Sequence, residues 1–444
     1  MTVASLRISH TPPRAAPRRY ACYPTLGRFR AEVGAARADD WIAALPAGAR
    51  LSLRLHIPFC ERLCWFCSSR TQRLRGPELV ADYLAALARE AERLGARLPP
   101  GAQVVEIRWT GGTPTILAPA QMRALDRALR AALPVAPAAR LAVEIEPQGL
   151  DPDRLDALMD VGLREAAIGL QDFDPVVQAA IGREITPGRF AATFDALRAA
   201  GVERIALELL FGLPGQSAPS IAATAAFAAG LGPDSAVLAP YAHVPWMAKR
   251  QRMIPLAALP DAALRRAQFA AGAAALRGAR YLSCGAELFL RPGDPLAEAW
   301  TEGRLRRDLG TYGAGEEPAA TIGLGPAAVS RFPQGYVQNV AETGAYLARL
   351  AAGAGAGERG FVFGLEDRIR GRAIEMLFCA LRVDLPGLRA EFGDFAEVIT
   401  DLCAAAARAF PGRVSAGPAG LAVDPAAPFL APRVAEFFDA FADA

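Results

Sequence analysis

The sequence predicts an α/β fold: a partial, open (β/α)6 barrel of the TIM-like kind, with an N-terminal arm and a small, mostly helical C-terminal part. Three observations lead there. Apolar runs at 51–57, 104–109, 141–146, 166–170, 205–211 and 236–241 alternate with amphipathic stretches at 78–95, 120–132, 151–160, 187–200 and 218–230. Such regular βα spacing asks for parallel strands joined by right-handed crossovers. The alternation fades after Pro245, two units short of a closed eight-stranded barrel. Lastly, Cys60, Gly111, Glu144, Gln171, Glu208 and Tyr241 each close a predicted strand. That is the end of a parallel barrel where chemistry is done.

Each element follows from local chemistry. Residues 1–47 read as an extended arm, because Pro12, Pro13, Pro17 and Pro24 keep it out of helix, with one short helix expected around Asp39 to Leu45. Leu51 to Leu55 form the first strand, and Pro58 stops it, having no N–H for the ladder. After the sixth strand, residues 246–350 are mixed, with a helix around Asp261 to Leu276. The Ala/Gly run over 351–360 has the composition of a flexible linker. Leu365 to Leu381 is an amphipathic helix, and 385–444 reads as a small helical unit with a β-wing near 412–424. A winged-helix outline would not by itself imply DNA binding. The expected division is an arm (1–47), a barrel with its extension (48–350) and a C-terminal helical domain (351–444).

Composition excludes several classes. A chain of 444 residues, 52% hydrophobic and 21% charged, is globular rather than disordered. A net charge of +3 makes no case for nucleic acid or an anionic membrane. No strongly apolar run reaches eighteen residues, so no membrane span is expected. Arg7, Arg14, Arg18 and Arg19 open the chain without an apolar core, unlike a secretory signal. Seven cysteines, an odd number with three in one loop, point to a reducing compartment, the cytoplasm. Cys22, Cys284, Cys379 and Cys403 are far apart in sequence and read as buried free thiols.

The chemistry begins where the first strand ends. Cys60, Cys64 and Cys67 have C-x3-C-x2-C spacing, and three thiolates this close together hold three irons of a cubane cluster, leaving the fourth open. Structural zinc wants four closed ligands, and only Ser68, Ser69, Arg70 and Thr71 follow. Three core cysteines are the bland alternative, but a loop flanked by Pro58, Glu61 and Arg62 is not a packing pattern.

This motif after a first strand resembles that of the radical S-adenosylmethionine (SAM) enzymes. The resemblance narrows to the oxygen-independent coproporphyrinogen III oxidase family. It is carried by Tyr20-Ala-Cys-Tyr-Pro-Thr25, His56-Ile-Pro-Phe-Cys60, Gly111-Gly-Thr-Pro-Thr115 and Gly169-Leu-Gln-Asp-Phe173, and by Gly212-Leu-Pro214, Tyr241-Ala-His-Val-Pro245, Arg291-Pro292 and Gly335-Tyr-Val-Gln-Asn339. It runs from about Tyr20 into the C-terminal part. It implies a [4Fe–4S] cluster on Cys60, Cys64 and Cys67 whose open iron chelates S-adenosyl-L-methionine, and an arm that helps to cover the site. It also implies SAM contacts by the backbone of Phe66, by Gly111, Gly112 and Thr113, by Glu144, by Gln171 and Arg183, and by Glu208. Ala242 and Val329 would shape the adenosine pocket. Glu146 is expected to face away from Glu144, a core side chain is the plain reading of Phe66, and a surface salt bridge that of Arg183. His56 reads as a structural hydrogen-bonding group and His243 as a pocket lining.

Five positions depart from the family pattern: Arg54, Glu208, Glu287, which stands for an aspartate, Leu288 and Ser69. Arg54 stands where the family has a tyrosine facing the site, and Glu208 where it has aspartate; both are assigned catalytic roles here. Gly285-Ala-Glu-Leu-Phe289 loses a histidine at Leu288, and Ser69 replaces a non-ligand cysteine. The implied activity is conversion of propionate side chains of coproporphyrinogen III to vinyl groups, giving protoporphyrinogen IX, with a reductant such as flavodoxin or ferredoxin and a monomeric protein. A tetra-acid substrate asks for a cationic rim, for which Arg19, Arg28, Arg30, Arg54 and Arg70 qualify by type. The departures motivate two rivals: a paralogue acting on another tetrapyrrole, in haem breakdown or methylation, and a non-catalytic haem-binding trafficking protein.

Overall fold

The computed structural model describes residues 20–315 and 318–442. Six parallel strands form the wall: β1 (Arg50–Ile57), β2 (Gln103–Gly111), β3 (Val135–Ile145), β4 (Leu163–Gln171), β5 (Arg204–Phe211) and β6 (Ser235–Pro240). The helices are α1 (Ala35–Ala43) in the arm, then α2 (Glu78–Gly95), α3 (Pro119–Ala132), α4 (Pro152–Asp160), α5 (Pro175–Ile181), α6 (Pro187–Ala199) and α7 (Ala218–Gly230). Local chemistry starts several of them. Asp151, Asp174 and Thr186 each accept a backbone N–H from the first turn, with proline next in line, whose missing N–H is no loss there. Helix α5 was not expected; its seven residues are too few for a clear period.

Alternation decides which side chains meet which layer. Leu51, Leu53, Leu55 and Ile57 are fully buried against the helices, as are Ile205, Leu207 and Leu209. The other face carries charge. Ser52 donates to Glu106 (2.9 Å), Arg108 pairs with Glu106 (2.6 Å) and reaches Glu165 (3.6 Å), and Arg204 bridges Glu165 (3.8 Å) and Asp294 (2.9 Å).

The barrel stays open, as expected. Six further strands extend the sheet: β7 (Leu282–Cys284), β8 (Leu288–Leu290), β9 (Ala320–Leu324), β10 (Val329–Phe332), β11 (Gly335–Asn339) and β12 (Gly357–Val362). Their order is β12-β11-β10-β9-β1-β2-β3-β4-β5-β6-β8-β7, with β9 parallel to β1 and both outer flanks antiparallel. The segment expected to be a flexible linker, 351–360, is instead the end of a helix (Thr343–Ala351), a turn and most of edge strand β12. Its glycines serve close packing: a Cβ on Gly360 would lie 2.0 Å from the Tyr336 carbonyl oxygen. Arg30 and Gly360 exchange backbone hydrogen bonds there at 2.7 and 2.9 Å, so the arm is stitched to the edge.

A second apolar cluster lies beyond Leu365. Helix 365–380 supplies Ile369, Leu377 and Phe378, which pack with Ile399, Leu402 and Phe438 and with Tyr20 and Tyr23 of the arm. Residues 414–417 and 420–423 form a hairpin paired to 382–384. Tyr20 donates to Asp439 (3.0 Å), the Ala440 N–H donates to the Tyr23 hydroxyl (3.0 Å), and Arg28 donates to the Phe441 carbonyl (3.0 Å). Arg28, proposed for a cationic rim, is therefore committed to residue 441, because its planar fork reaches both that carbonyl and the Phe441 ring. Arg19 lies outside the described residues. No helix among the described residues is long and apolar enough to cross a membrane. Cys22, Cys284, Cys379 and Cys403 are buried and free, as expected.

Glu90 of α2 accepts from Gly325 N–H (2.8 Å), Asn339 (2.7 Å) and Tyr346 (2.6 Å), yet burial dominates and pushes its carboxyl up to about 7. Between the ordinary carboxylate range and pH 7 the folded protein holds a proton that the unfolded chain has lost. Stability from this group is complete at low pH and is lost as pH rises through about 7. Glu90→Gln is expected to remove up to about 3 kcal/mol of that slope, read as the difference in denaturant midpoint between pH 5 and pH 8.

Candidate active site

The cysteine loop leaves β1 at Pro58 and has almost no regular structure of its own; Phe59–Cys60 pair briefly with Gln72–Arg73. It is held from outside. Thr113 N–H donates to Phe59 O (2.8 Å), and Trp65 N–H donates to Ile181 O at the end of α5 (2.8 Å). Gly182, in the left-handed region at φ +67°, lies under the Trp65 ring, where a Cβ would come within 3.0 Å. Cys60, Cys64 and Cys67 are all half-buried, and each lies close enough to another for its charge to be felt. Burial pushes the Cys60 and Cys64 thiols up, while hydrogen bonds from Thr113 and Thr71 to Cys60 and from Arg183 to Cys64 favour their thiolates.

The glycine turn ends β2 beside this loop. Gly111 has φ +113°, its N–H donates to Glu144 Oε2 (3.0 Å), and a Cβ there would strike the His56 ring at 2.4 Å. His56 is a structural group, as expected: its Nδ1 meets Pro326 O at 2.5 Å, and burial drops its pKa to about 4. Glu144 is open to the barrel lumen yet deep within the protein. Desolvation, then the neighbouring Glu208 carboxylate, pushes it up to about 7 against the Gly111 N–H. Gln171, the last residue of β4, is buried at φ +60°, with its Oε1 lacking any partner.

Arg183 is a buried bridge rather than a surface charge. It pairs with Glu146 (2.5 Å), donates to Gly169 O (2.8 Å) and reaches Cys64, leaving its Nε unpartnered. Glu146 therefore belongs to the same side as Glu144, contrary to expectation, since residues two apart on a strand share a face.

The departing positions also find reasons. Arg54 is half-buried, and its guanidinium donates to Asp308 O (2.8 Å) and Leu309 O (3.1 Å), tying the 306–313 hairpin to the barrel and leaving a buried Nε unpartnered. Glu287 pairs with Arg307 (3.2 Å) and accepts from Tyr312 (3.3 Å). Leu288 is buried in β8, and the Ser69 carbonyl accepts from Arg250 (3.2 Å). Val329 packs partly buried near Cys22 and Phe29, in the cluster that also contains Leu309. His243 meets the Tyr241 hydroxyl at 2.9 Å. Ala242 is joined to Phe66 by a residue that sequence reasoning missed. Gln251, fully buried, donates to Phe66 O (2.7 Å) and Ala242 O (3.2 Å) and accepts from Val244 N–H (2.5 Å). Arg250 beside it grips Thr71 O (2.8 Å) and Oγ1 (2.9 Å).

The Radical SAM superfamily model matches residues 55–228, from β1 into α7. With three thiols at the exit of the first strand of an open parallel barrel, the chain is a radical SAM protein, a class whose resident groups are a [4Fe–4S] cluster and SAM. Within that class it belongs to the oxygen-independent coproporphyrinogen III oxidase family. It is 41% identical over 423 residues to the protein of that name from Paracoccus denitrificans, covering 95% of this chain and 94% of the other. It is 40% identical over 423 residues to the one from Cereibacter sphaeroides, with the same coverage. The solved structure of coproporphyrinogen III oxidase from Escherichia coli, described as a radical SAM enzyme, superposes with a TM-score of 0.88 at 29% identity, covering 95% of this chain and 97% of that one.

The side chains present fit those groups. Three thiols share one loop, and a cubane takes one thiolate per iron. The unpartnered Gln171 Oε1, Arg183 Nε and Arg54 Nε are buried polar atoms of the kind a polar ligand satisfies.

With a cluster on Cys64, a guanidinium at that sulfur favours the more negative, reduced state. Arg183→Met is expected to lower the midpoint potential by about 59 mV, a tenfold change in the one-electron equilibrium, read by EPR-monitored redox titration without SAM.

Proposed function

We propose that the protein is an oxygen-independent coproporphyrinogen III oxidase that converts propionate side chains of coproporphyrinogen III to vinyl groups, giving protoporphyrinogen IX. The observation that supports this most strongly is the convergence of the three-cysteine loop, the Gly111 turn and Glu144 at one mouth, in a chain of this family over nearly its full length. A [4Fe–4S] cluster with SAM, held here, would supply the one-electron hydrogen-abstracting chemistry needed to oxidise a propionate side chain, with CO2 lost and an electron passing to an external acceptor as the vinyl group forms.

The chain's own residues position and shield. Cys60, Cys64 and Cys67 hold the cluster, and Gln251 and Arg250 hold their loop. Gly111, Gly112 and Thr113 bring backbone close to the SAM methionyl group, and Glu144 with Glu208 offers negative charge to its cationic end. Gln171 and Arg183, each with an unpartnered buried atom, would hold SAM, and Phe66, Ala242 and Val329 would shape its adenosine pocket. Arg54 keeps the 306–313 hairpin over the lumen and so excludes water from the reacting side chain. The protein acts as a cytoplasmic monomer reduced by a flavodoxin or ferredoxin, with no nucleic-acid or membrane partner.

A second reading, action on another tetrapyrrole, is favoured by Arg54, whose unpartnered Nε adds a buried cation to the lumen. One anaerobic assay separates them. Reconstituted protein with coproporphyrinogen III is expected to release CO2 and give the divinyl product, and Cys64→Ala to abolish both. Formation of 5′-deoxyadenosine without that product would favour the second reading, and no 5′-deoxyadenosine at all would favour a non-catalytic haem carrier.

Glu144 gives a pH test. Its carboxyl, held up to about 7, is neutral below that pH and anionic above it. SAM affinity, read by equilibrium binding, is expected to strengthen several-fold from pH 6 to pH 8, and Glu144→Gln to be weak and flat across the range.

A further inference from the structure

A redox partner has to approach the cysteine loop from outside, and the surface around that loop is unlike the rest of the molecule. The chain as a whole is nearly balanced, with 49 basic and 46 acidic residues. Residues 61–76 and 245–260 together carry seven basic side chains and one acid, Glu61. The two segments are one surface, joined by Arg250 on the Ser69 and Thr71 carbonyls and by Gln251 on Phe66 O. Among the described residues the side chains of Arg75, Lys249 and Arg252 have no ion pair or hydrogen bond, and all three are exposed.

The same surface gathers exposed apolar groups. Of the ten large hydrophobic residues exposed on the described protein, six are here: Leu63, Val176, Trp246, Met247, Met253 and Leu256. Val176 belongs with them because it touches the Gly215 position (3.3 Å), whose N–H donates to Ala258 O (3.4 Å). Beneath, Trp65 and Phe66 of the cysteine loop pack on Ile254 and Ile181, so the exposed groups rest on the elements that hold the loop. Apolar groups ringed by unpaired cations are the pattern of a site for an acidic partner, not of scattered surface residues.

We propose that this face, centred on Trp246 and Lys249, docks an acidic flavodoxin-type electron donor. One electron leaves the donor's reduced flavin and reduces the oxidised cluster by one; no bond forms or breaks. The cations steer the encounter, and Trp246, Met253 and Leu256 supply a small apolar contact suited to a transient redox complex. The proposal rests on the cluster of the reading above but not on its substrate.

The test uses reconstituted holoenzyme and a reduced bacterial flavodoxin as probe, without porphyrinogen or SAM. Stopped-flow bleaching of the cluster gives the rate of electron transfer, and fluorescence anisotropy gives the affinity. Wild-type rate and affinity are expected to fall steeply with salt. The double variant Lys249→Glu, Arg252→Glu is expected to lose tenfold or more in both and most of the salt dependence, while dithionite still reduces its cluster fully. Trp246→Ser is expected to weaken affinity with the salt slope unchanged. Arg75→Glu, on the other segment, repeats the charge test should the double variant lose iron and sulfide.

Unchanged rate and affinity in the charge variants that retain their cluster overturn the proposal. So does normal flavodoxin binding with a raised KM for porphyrinogen under dithionite, which assigns the cations to substrate carboxylates. A wild-type dimer that these substitutions dissociate in sedimentation assigns the face to self-association instead. Failure to turn over coproporphyrinogen III leaves the docking measurement standing, so the two readings fail separately.

Discussion

The segment that must hold a metal cluster is the one least able to hold itself. Between Pro58 and Thr71 the chain makes no helix and only a two-residue strand, and its thiols gain nothing from burial. Beyond its brief pairing with Gln72–Arg73, it is fixed by elements brought alongside by the barrel: the turn after β2, the end of α5 and the stretch after β6. Parallel strands deliver these because their C-terminal ends all open on one rim. The constraint propagates outward. Gly111 has to lack a side chain because His56 fills the space, and Gly182 because Trp65 does. Gln251 has to be an amide, since it donates to two carbonyls and accepts one N–H at once.

Charge is distributed to match. Along the lumen, acids and arginines pair in a ladder from Asp294 through Arg204, Glu165 and Arg108 to Glu106. Near the mouth Glu144 accepts the Gly111 N–H and has the Glu208 carboxylate for a neighbour. Unlike charges satisfy each other where the barrel only has to stand. At the strand ends two acids are neighbours instead, and burial with their mutual repulsion holds the Glu144 carboxyl up.

The barrel was legible because its signals are local. Six apolar runs and five helices of nine residues or more announce themselves within a window of the chain. The outer strands were not, since β7 and β8 have three residues each and no period to show. The glycines of 351–360 misled because composition alone does not distinguish a chain that needs freedom from one that needs room; Gly360 needs room. The cysteines stood out by their spacing, and Glu144 by its place at a strand end together with the family resemblance. Gln251, Arg250 and the Glu146–Arg183 pair were not, because each takes meaning from a residue 37 to 185 positions away. Arg54 was noticed as an exception, but its two carbonyl partners belong to a hairpin no pattern foretold.

The clasp between Tyr20, Tyr23 and Arg28 and residues 439–441 sets an order on biosynthesis. The arm can meet strand β12 at Gly360 first, but Tyr20, Tyr23 and Arg28 gain these partners only once residues 439–441 have been made. During synthesis the cysteine loop can thus be complete while the strap that fastens the two extremities is still undone.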